Sequence, residues 1–150
     1  MKNLIVFIAL SSLITFSACS QKNPPENVKK EFSQKYAAAK SVKWDSEKPD
    51  EWEAEFKVNG TEMSACFDDA GKWLESETEV SAKELPVEVT NTLKNDYSGF
   101  KTQESSTIEN PEMKGFELIL KKGKTSIEVI FDSTGKVVKK TDVKEENEKE

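Results

Sequence analysis

The chain has 150 residues, of which 35% are hydrophobic and 33% are charged, and this composition predicts one modest domain once any targeting segment is set aside. A net charge of −6 and the lack of arginine exclude a typical nucleic-acid-binding protein, because phosphate recognition relies on basic residues. Histidine is absent, which excludes histidine-based catalytic triads and histidine-ligated metal sites.

The beginning of the chain has the pattern of an export signal. Lys2 precedes an apolar run of 13 residues, 4–16, broken only by two serines and a threonine. A membrane-spanning helix needs about 20 apolar residues, so the run is better suited to a cleaved signal peptide than to a permanent anchor. The predicted signal peptide covers residues 1–18.

Cys19, which follows the signal peptide, is predicted to carry a lipid. Residues 16–19 read Phe-Ser-Ala-Cys and resemble the lipobox of bacterial lipoproteins, although Phe16 stands where that motif prefers leucine. Residues 19–23 would then tether the protein to the cell envelope, facing the periplasm or the cell surface, with no other membrane contact. The alternative is ordinary cleavage after Ala18 and release into the periplasm.

The chain beyond residue 23 contains two similar halves, residues 24–80 and 84–140. At a constant offset of 61, Pro25, Val28, Phe32 and Tyr36 recur as Pro86, Val89, Leu93 and Tyr97. At an offset of 64, Trp52, Phe56, Phe67, Asp68, Gly71 and Lys72 recur as Phe116, Leu120, Phe131, Asp132, Gly135 and Lys136. The pattern predicts a tandem duplication within one domain, residues 24–140.

Each half is predicted to contain one amphipathic helix followed by an antiparallel hairpin and one further strand. Three apolar residues of each helix lie at i, i+4 and i+8 and so form one stripe. Apolar and polar residues then alternate, as in residues 52–58, which is typical of strands with one buried face. Asn59-Gly60 is a preferred hairpin turn, and Lys122-Gly123 is its predicted counterpart. The fold class is α+β, with both helices packed on one face of an antiparallel sheet.

Three stretches carry a family resemblance: WEAEFKVNGTEMSACFDDAGKWLE, ELPVEVTNTLKNDY and FDSTGK. With them, residues 24–140 resemble the PepSY-like, β-lactamase-inhibitor-like family of exported bacterial proteins, which is common in Bacteroidota. The resemblance implies an antiparallel sheet with both helices on one face. It implies no activity and carries over no inhibitory residues.

The sheet face that the helices leave free is the predicted binding surface. Its expected residues are Glu53, Glu55, Glu62, Ser64 and Cys66 in the first half and Glu117, Ile119, Ser126, Glu128 and Ile130 in the second. Ile119 and Ile130 are predicted to form a small exposed apolar patch among acidic residues; the alternative is that they are scattered surface residues or lie beneath a loop. Trp73 is a further candidate anchor for a partner if it faces outward, and a core residue if it faces inward.

Three functions remain open. The favoured one is a non-catalytic exported binding module that recognises an envelope protein or peptide, including by inhibition. The second is a structural envelope lipoprotein without a discrete ligand. The third is a hydrolase using carboxylates two residues apart on a strand, as in Glu53/Glu55 or Glu75/Glu77.

No cofactor or metal is predicted, since the turn at Asp68-Asp69 lacks the ligand set of a calcium loop. Cys66 is predicted to be a small strand side chain rather than a reactive thiol. The protein is expected to be a monomer. Residues 141–150 are almost wholly charged and are predicted to be a disordered tail.

Overall fold

The computed structural model describes residues 23–143, so the predicted signal peptide, Cys19 and residues 144–150 lie outside the described part. The elements are α1 (Glu26–Lys35), β1 (Lys40–Lys48), β2 (Glu51–Val58), β3 (Thr61–Asp68), β4 (Trp73–Glu79), α2 (Val87–Asp96), β5 (Lys101–Glu109), β6 (Lys114–Lys122), β7 (Thr125–Asp132) and β8 (Val137–Val143). The eight strands form one antiparallel sheet in chain order, which confirms the α+β class. Within residues 23–143, no helix has the length and apolar character needed to cross a membrane.

Both helices pack on the same face of the sheet, which we call the helix face. Residues directly opposite each other on paired strands point to the same side. Ala65 in β3 is paired with Ser76 in β4, so both side chains point to the helix face. The pairs between β4, β5 and β6 place Phe116 in β6 on the same face. Val28 of α1 packs at one end of this face and Val89 of α2 at the other.

The helix face holds two hydrophobic clusters, one under each helix. The cluster under α1 contains Val28, Phe32, Ala54, Phe56, Ala65 and Phe67. The cluster under α2 contains Leu85, Val89, Leu118, Leu120, Ile127, Val129 and Phe131. Between them, the central strands β4 and β5 place polar residues such as Ser76 and Thr107 on this face, and the hydroxyl groups of Tyr36 and Ser76 hydrogen-bond each other.

The turns that close β3–β4 and β7–β8 fix the positions of the helices. The Asn27 side-chain amide donates a hydrogen bond to the Asp69 carbonyl oxygen at 2.7 Å, which joins α1 to the first turn. Thr92 donates to the Gly135 carbonyl oxygen at 2.8 Å, which joins α2 to the second. Gly135 has a φ of 78°, and a Cβ there would lie 2.5 Å from the Glu88 carbonyl carbon. Only glycine allows this approach of turn to helix.

Two local predictions need correction. The second hairpin turns at Gly123 and Lys124, because Lys122 still pairs with Thr125 and leaves two loop residues. Gly123 therefore occupies the first loop position, with a φ of 61° that this turn requires. Residues 141–143, predicted as part of the disordered tail, belong to β8, because they pair with β7 as far as Val143 opposite Ser126.

Candidate functional site

The sheet face opposite the helices carries a broad field of carboxylates, which we call the acidic face. The strand pairing identifies the residues on this face. Glu53 lies opposite Cys66, Cys66 lies opposite Glu75, and Glu117 lies opposite Ser106. Side chains that alternate with the apolar residues of the helix face must point this way. The carboxylates on this face include Glu53, Glu55, Glu62, Glu75, Glu77, Glu79, Glu104, Glu117 and Glu128. The structure thus brings the predicted glutamates onto one face.

Part of the acidic face is buried, which contradicts the prediction of an open surface. Glu117 is 4% exposed and Glu128 is 1% exposed, while Ile119 and Ile130 are 8% and 6% exposed. The predicted apolar patch of Ile119 and Ile130 is therefore wrong. Glu53 is half-buried, and Glu55 is exposed as expected. Sheets twist, and side chains of neighbouring strands on the same face pack against one another.

A cleft of about 620 Å³ opens on the acidic face. Its lining comes from six strands, β1 to β6, and from the loop that follows β4. Seven glutamates and two lysines line it: Glu53, Glu55, Glu62, Glu77, Glu79, Glu104, Glu117, Lys43 and Lys57. Lys57 forms an ion pair with Glu62 at 2.6 Å, and Ile119 contributes an apolar wall. The cleft is concave and has a strong excess of acidic groups.

Glu117 is a strongly perturbed carboxyl group of this cleft. Burial raises its pKa to about 10, and the neighbouring Glu77, Glu128 and Glu75 add to the shift, while Lys139 opposes it. A carboxyl group removed from water and surrounded by like charges favours its neutral form. Glu117 is therefore protonated near neutral pH.

The two glutamates of β4 that face the same region are also perturbed. Burial raises the pKa of Glu77 to about 7, with a further contribution from Glu75, and a 3.2 Å hydrogen bond from Ser106 opposes the shift. Burial also raises the pKa of Glu75, which accepts a hydrogen bond from Asn110 at 3.2 Å. These hydrogen bonds stabilise the charged forms only in part.

A lysine balances part of this charge. Lys139 of β8 donates to Glu128 at 2.9 Å, and the Glu128 side chain is almost fully buried. A buried ion pair of this kind requires both partners, since loss of one leaves an uncompensated charge. Sequence reasoning missed Lys139, as well as Glu104 and Asn110, because their importance depends on which strands become neighbours.

Trp73 does not belong to the acidic face. Its ring packs against the cluster under α1, its indole nitrogen donates to Ser76 at 2.7 Å, and the Lys35 ammonium lies 4.0 Å from the ring centroid. The inward alternative is therefore the correct one. The structure separates Trp73 from the other predicted partner-binding residues.

Cys66 lies on the acidic face as a free thiol and is half-buried. Burial raises its pKa far above the ordinary value, and the nearby Glu53 and Glu51 add to this effect. A thiol is nucleophilic as the thiolate, so the raised pKa disfavours reaction of Cys66 in the folded protein. Across residues 23–143, no group of three or more cysteine and carboxylate side chains has the spacing to hold a metal ion.

These features define a small α+β protein with one helix-covered sheet face and one concave, carboxylate-lined face. The chain belongs to the PepSY-like family, because the family described as "Putative beta-lactamase-inhibitor-like, PepSY-like" matches residues 50–139. No curated protein matches the chain.

Several solved structures have the same fold. A BLIP-like protein from Bacteroides fragilis is 21% identical with a TM-score of 0.71, over 87% of this chain and 94% of that one. A DUF2874 family protein from Bacteroides ovatus is 22% identical with a TM-score of 0.71, over 81% and 89%. A protein from Bacteroides eggerthii, described as periplasmic, is 20% identical with a TM-score of 0.72, over 81% and 90%. At these identities the similarity shows the fold alone.

Proposed function

We propose that this chain is a non-catalytic binding module of the cell envelope, which recognises a protein or peptide through the cleft of its acidic face. The observation that carries the proposal is the cleft itself, which extends over six strands and is lined by seven glutamates. The β-lactamase-inhibitor-like description of the family supports an inhibitor-like mode of binding. The BLIP-like protein of Bacteroides fragilis supports the same assignment at the level of fold.

The proposed location is the periplasmic or outer side of the envelope. The apolar run at residues 4–16 and the small residues before Cys19 support export and lipid attachment. The periplasmic description of the Bacteroides eggerthii protein agrees with this. Metabolic labelling with palmitate tests the anchor: the full chain should incorporate the label, and Cys19→Ala should not. Labelling of both proteins would contradict it.

We also propose that the fold arose by tandem duplication of a helix-plus-hairpins unit. Each half consists of one helix followed by four strands, and both helices have 10 residues. Each helix also lies against the closing turn of its own half, through Asn27 in one case and Thr92 in the other. Superposition of the halves in an experimental structure is the test, and differing strand paths would refute the duplication.

Site-specific photocrosslinking in the native envelope tests the proposed binding surface. A photoreactive residue replaces Glu55, which is exposed and lines the cleft, and the control replaces Lys30, which is exposed on α1. We expect a discrete adduct from position 55 that the control does not give. Equal adducts at both positions, or none at either, would contradict the binding surface and favour a structural envelope protein.

One observation favours hydrolysis as a second candidate. Glu77 and Glu117 line one cleft and have pKa values of about 7 and about 10, and carboxyl groups held in different protonation states are typical of general acid–base pairs. A panel of chromogenic glycosides and esters tests this candidate against Glu117→Gln. Turnover by the native protein that the variant lacks would establish hydrolysis, whereas we expect none in either protein.

A further inference from the structure

The buried glutamates of the acidic face differ in whether their carboxyl groups accept a hydrogen bond. Glu75 accepts a hydrogen bond from Asn110, and Glu128 accepts one from Lys139. Glu117 is equally buried and lines the cleft, yet no group within residues 23–143 donates a hydrogen bond to its carboxyl. Within residues 23–143, every fully enclosed side-chain oxygen has a hydrogen-bond partner. The Glu117 oxygens have none, so they are not fully enclosed and reach the cleft. An acceptor that reaches the cleft and has no donor from the surrounding strands is available to a donor from a ligand.

The charge of the cleft limits what that donor can be. Seven glutamates line the cleft against two lysines, and Lys57 already pairs with Glu62. An anionic or purely apolar ligand would meet strong repulsion or leave carboxylates desolvated without partners. A donor that is also a cation satisfies both the charge and the missing hydrogen bond.

The dimensions of the cleft favour a polypeptide over a single small cation. The lining extends from Lys43 in β1 to Glu117 in β6. Neighbouring strands lie about 4.8 Å apart, so five intervals span at most about 24 Å, the length of about seven residues of extended chain. The glutamates are spread along this distance, and no group of three or more in the described part of the chain is close enough to hold a metal ion.

We propose that the cleft binds an extended, lysine- or arginine-bearing segment of a protein, and that Glu117 accepts a charge-assisted hydrogen bond from one of its basic side chains. This inference rests on the proposed function and names the chemistry of the partner. Glu104, which is exposed and lies opposite Ile119 in the cleft, serves as a second anionic contact nearer the opening.

Binding in this mode displaces the proton of Glu117 to solvent. The groups that face Glu117 are Glu75 and Glu77 from β4, Ser106 from β5, Glu128 from β7 and Lys139 from β8. Lysine keeps its charge up to about pH 10, so affinity should rise with pH between 6 and 9, by up to about tenfold per pH unit.

The test measures peptide binding to the purified protein by calorimetry. The probe is a capped heptapeptide in which lysine alternates with alanine, and the matched probe has every lysine acetylated. Glu117→Gln removes the buried acceptor charge, Glu104→Lys reverses a charge at the opening, and Glu112→Gln makes the same change at an exposed loop position outside the cleft. Circular dichroism confirms that each variant is folded.

We expect Glu117→Gln and Glu104→Lys each to weaken binding about tenfold or more, as for loss of a charged hydrogen bond, and Glu112→Gln to change it less than twofold. The acetylated probe should bind at least tenfold more weakly. Glu77 ionises with a pKa of about 7 and adds to the rise at lower pH, so Glu117→Gln should remove the rise of affinity between pH 8 and 9, which a merely structural role would leave in place. If Glu117→Gln fails to fold, the weaker binding expected for Glu104→Lys and for the acetylated probe still tests whether the cleft binds a cationic segment.

Three results would overturn the inference: no binding of the lysine probe, equal weakening by Glu112→Gln and Glu117→Gln, or displacement of the probe by millimolar Ca²⁺ with no effect of equal ionic strength in NaCl. The last would identify a metal site instead. A crosslink from position 55 that survives Glu104→Lys would retain the binding surface and refute its cationic partner. The two proposals can therefore fail separately.

Discussion

Replacement of Glu117 by glutamine should change how the stability of the protein depends on pH. In the folded protein, burial raises the pKa of Glu117 from 4.5 to about 10, whereas in the unfolded chain the group is exposed and ordinary. Between these values the folded state holds a proton that the unfolded state has released. The stabilising effect is therefore fully present below about pH 4.5 and is lost as pH rises.

The magnitude follows from proton linkage. One such group lowers the free energy of unfolding by about 1.4 kcal/mol per pH unit. At pH 7, about 2.5 units above the ordinary value of 4.5, the accumulated loss is about 3 kcal/mol, which Glu117→Gln should largely restore. Glu77, with a pKa of about 7, adds a similar slope between about pH 5 and 7 in both proteins.

Urea unfolding at intervals from pH 5 to 8 measures this effect. The native protein should lose stability steadily over the range, and Glu117→Gln should lose it less steeply, by about 1.4 kcal/mol per pH unit. Glu112→Gln, which changes an exposed carboxyl group, serves as the control and should follow the native protein. Parallel curves for Glu117→Gln and the native protein would refute the burial of an ionisable group at this position.

Three further predictions concern the turns, the core and the thiol. Gly135→Ala should lower the free energy of unfolding in urea by about 2 kcal/mol or more, because the new Cβ would lie 2.5 Å from the Glu88 backbone. Gly123→Ala, at a position with positive φ but open space, should lower it by about 1 kcal/mol. Equal losses would contradict the close contact of turn and helix. Leu118→Ala, at a fully buried position, should cost about 2–5 kcal/mol, and a loss below 1 kcal/mol would argue against the packing under α2. Iodoacetamide at pH 8 should label Cys66 at least about tenfold more slowly in the native protein than in urea, as read by mass spectrometry of the Cys66 peptide; equal rates would refute its burial.

The periodicities of the sequence were sufficient for the main elements of the fold. Alternation in β2, β3, β6 and β7 identified which residues lie on the helix face, and the i, i+4 stripes identified the residues with which the helices cover it. Such patterns are local, because a strand alternates its sides at every residue and a helix repeats about every four. They also placed Glu53, Glu55, Glu117 and Glu128 together on the other face.

Alternation failed where the strand pairing is irregular. Glu75 lies on the acidic face, so strict alternation along β4 would also place Trp73 there. A register shift between Cys66 and Phe67 instead pairs Phe67 with Trp73, and the indole turns to the helix face. A bulge adds a residue to one strand and reverses the direction of those beyond it. No residue type in this turn predicts the bulge from the sequence.

The amino-acid sequence by itself determined the helices, most of the strands and the side of the sheet to which each regular side chain points, because these depend on neighbours along the chain. Only the tertiary structure decided how deeply those side chains are buried. Ile119, Ile130, Glu117 and Glu128 are buried on the sheet face opposite α1 and α2, among side chains of neighbouring strands. Enclosure there depends on strands far apart in sequence. The tertiary structure also turned an expected open acidic surface into a cleft in which no group of residues 23–143 donates a hydrogen bond to Glu117.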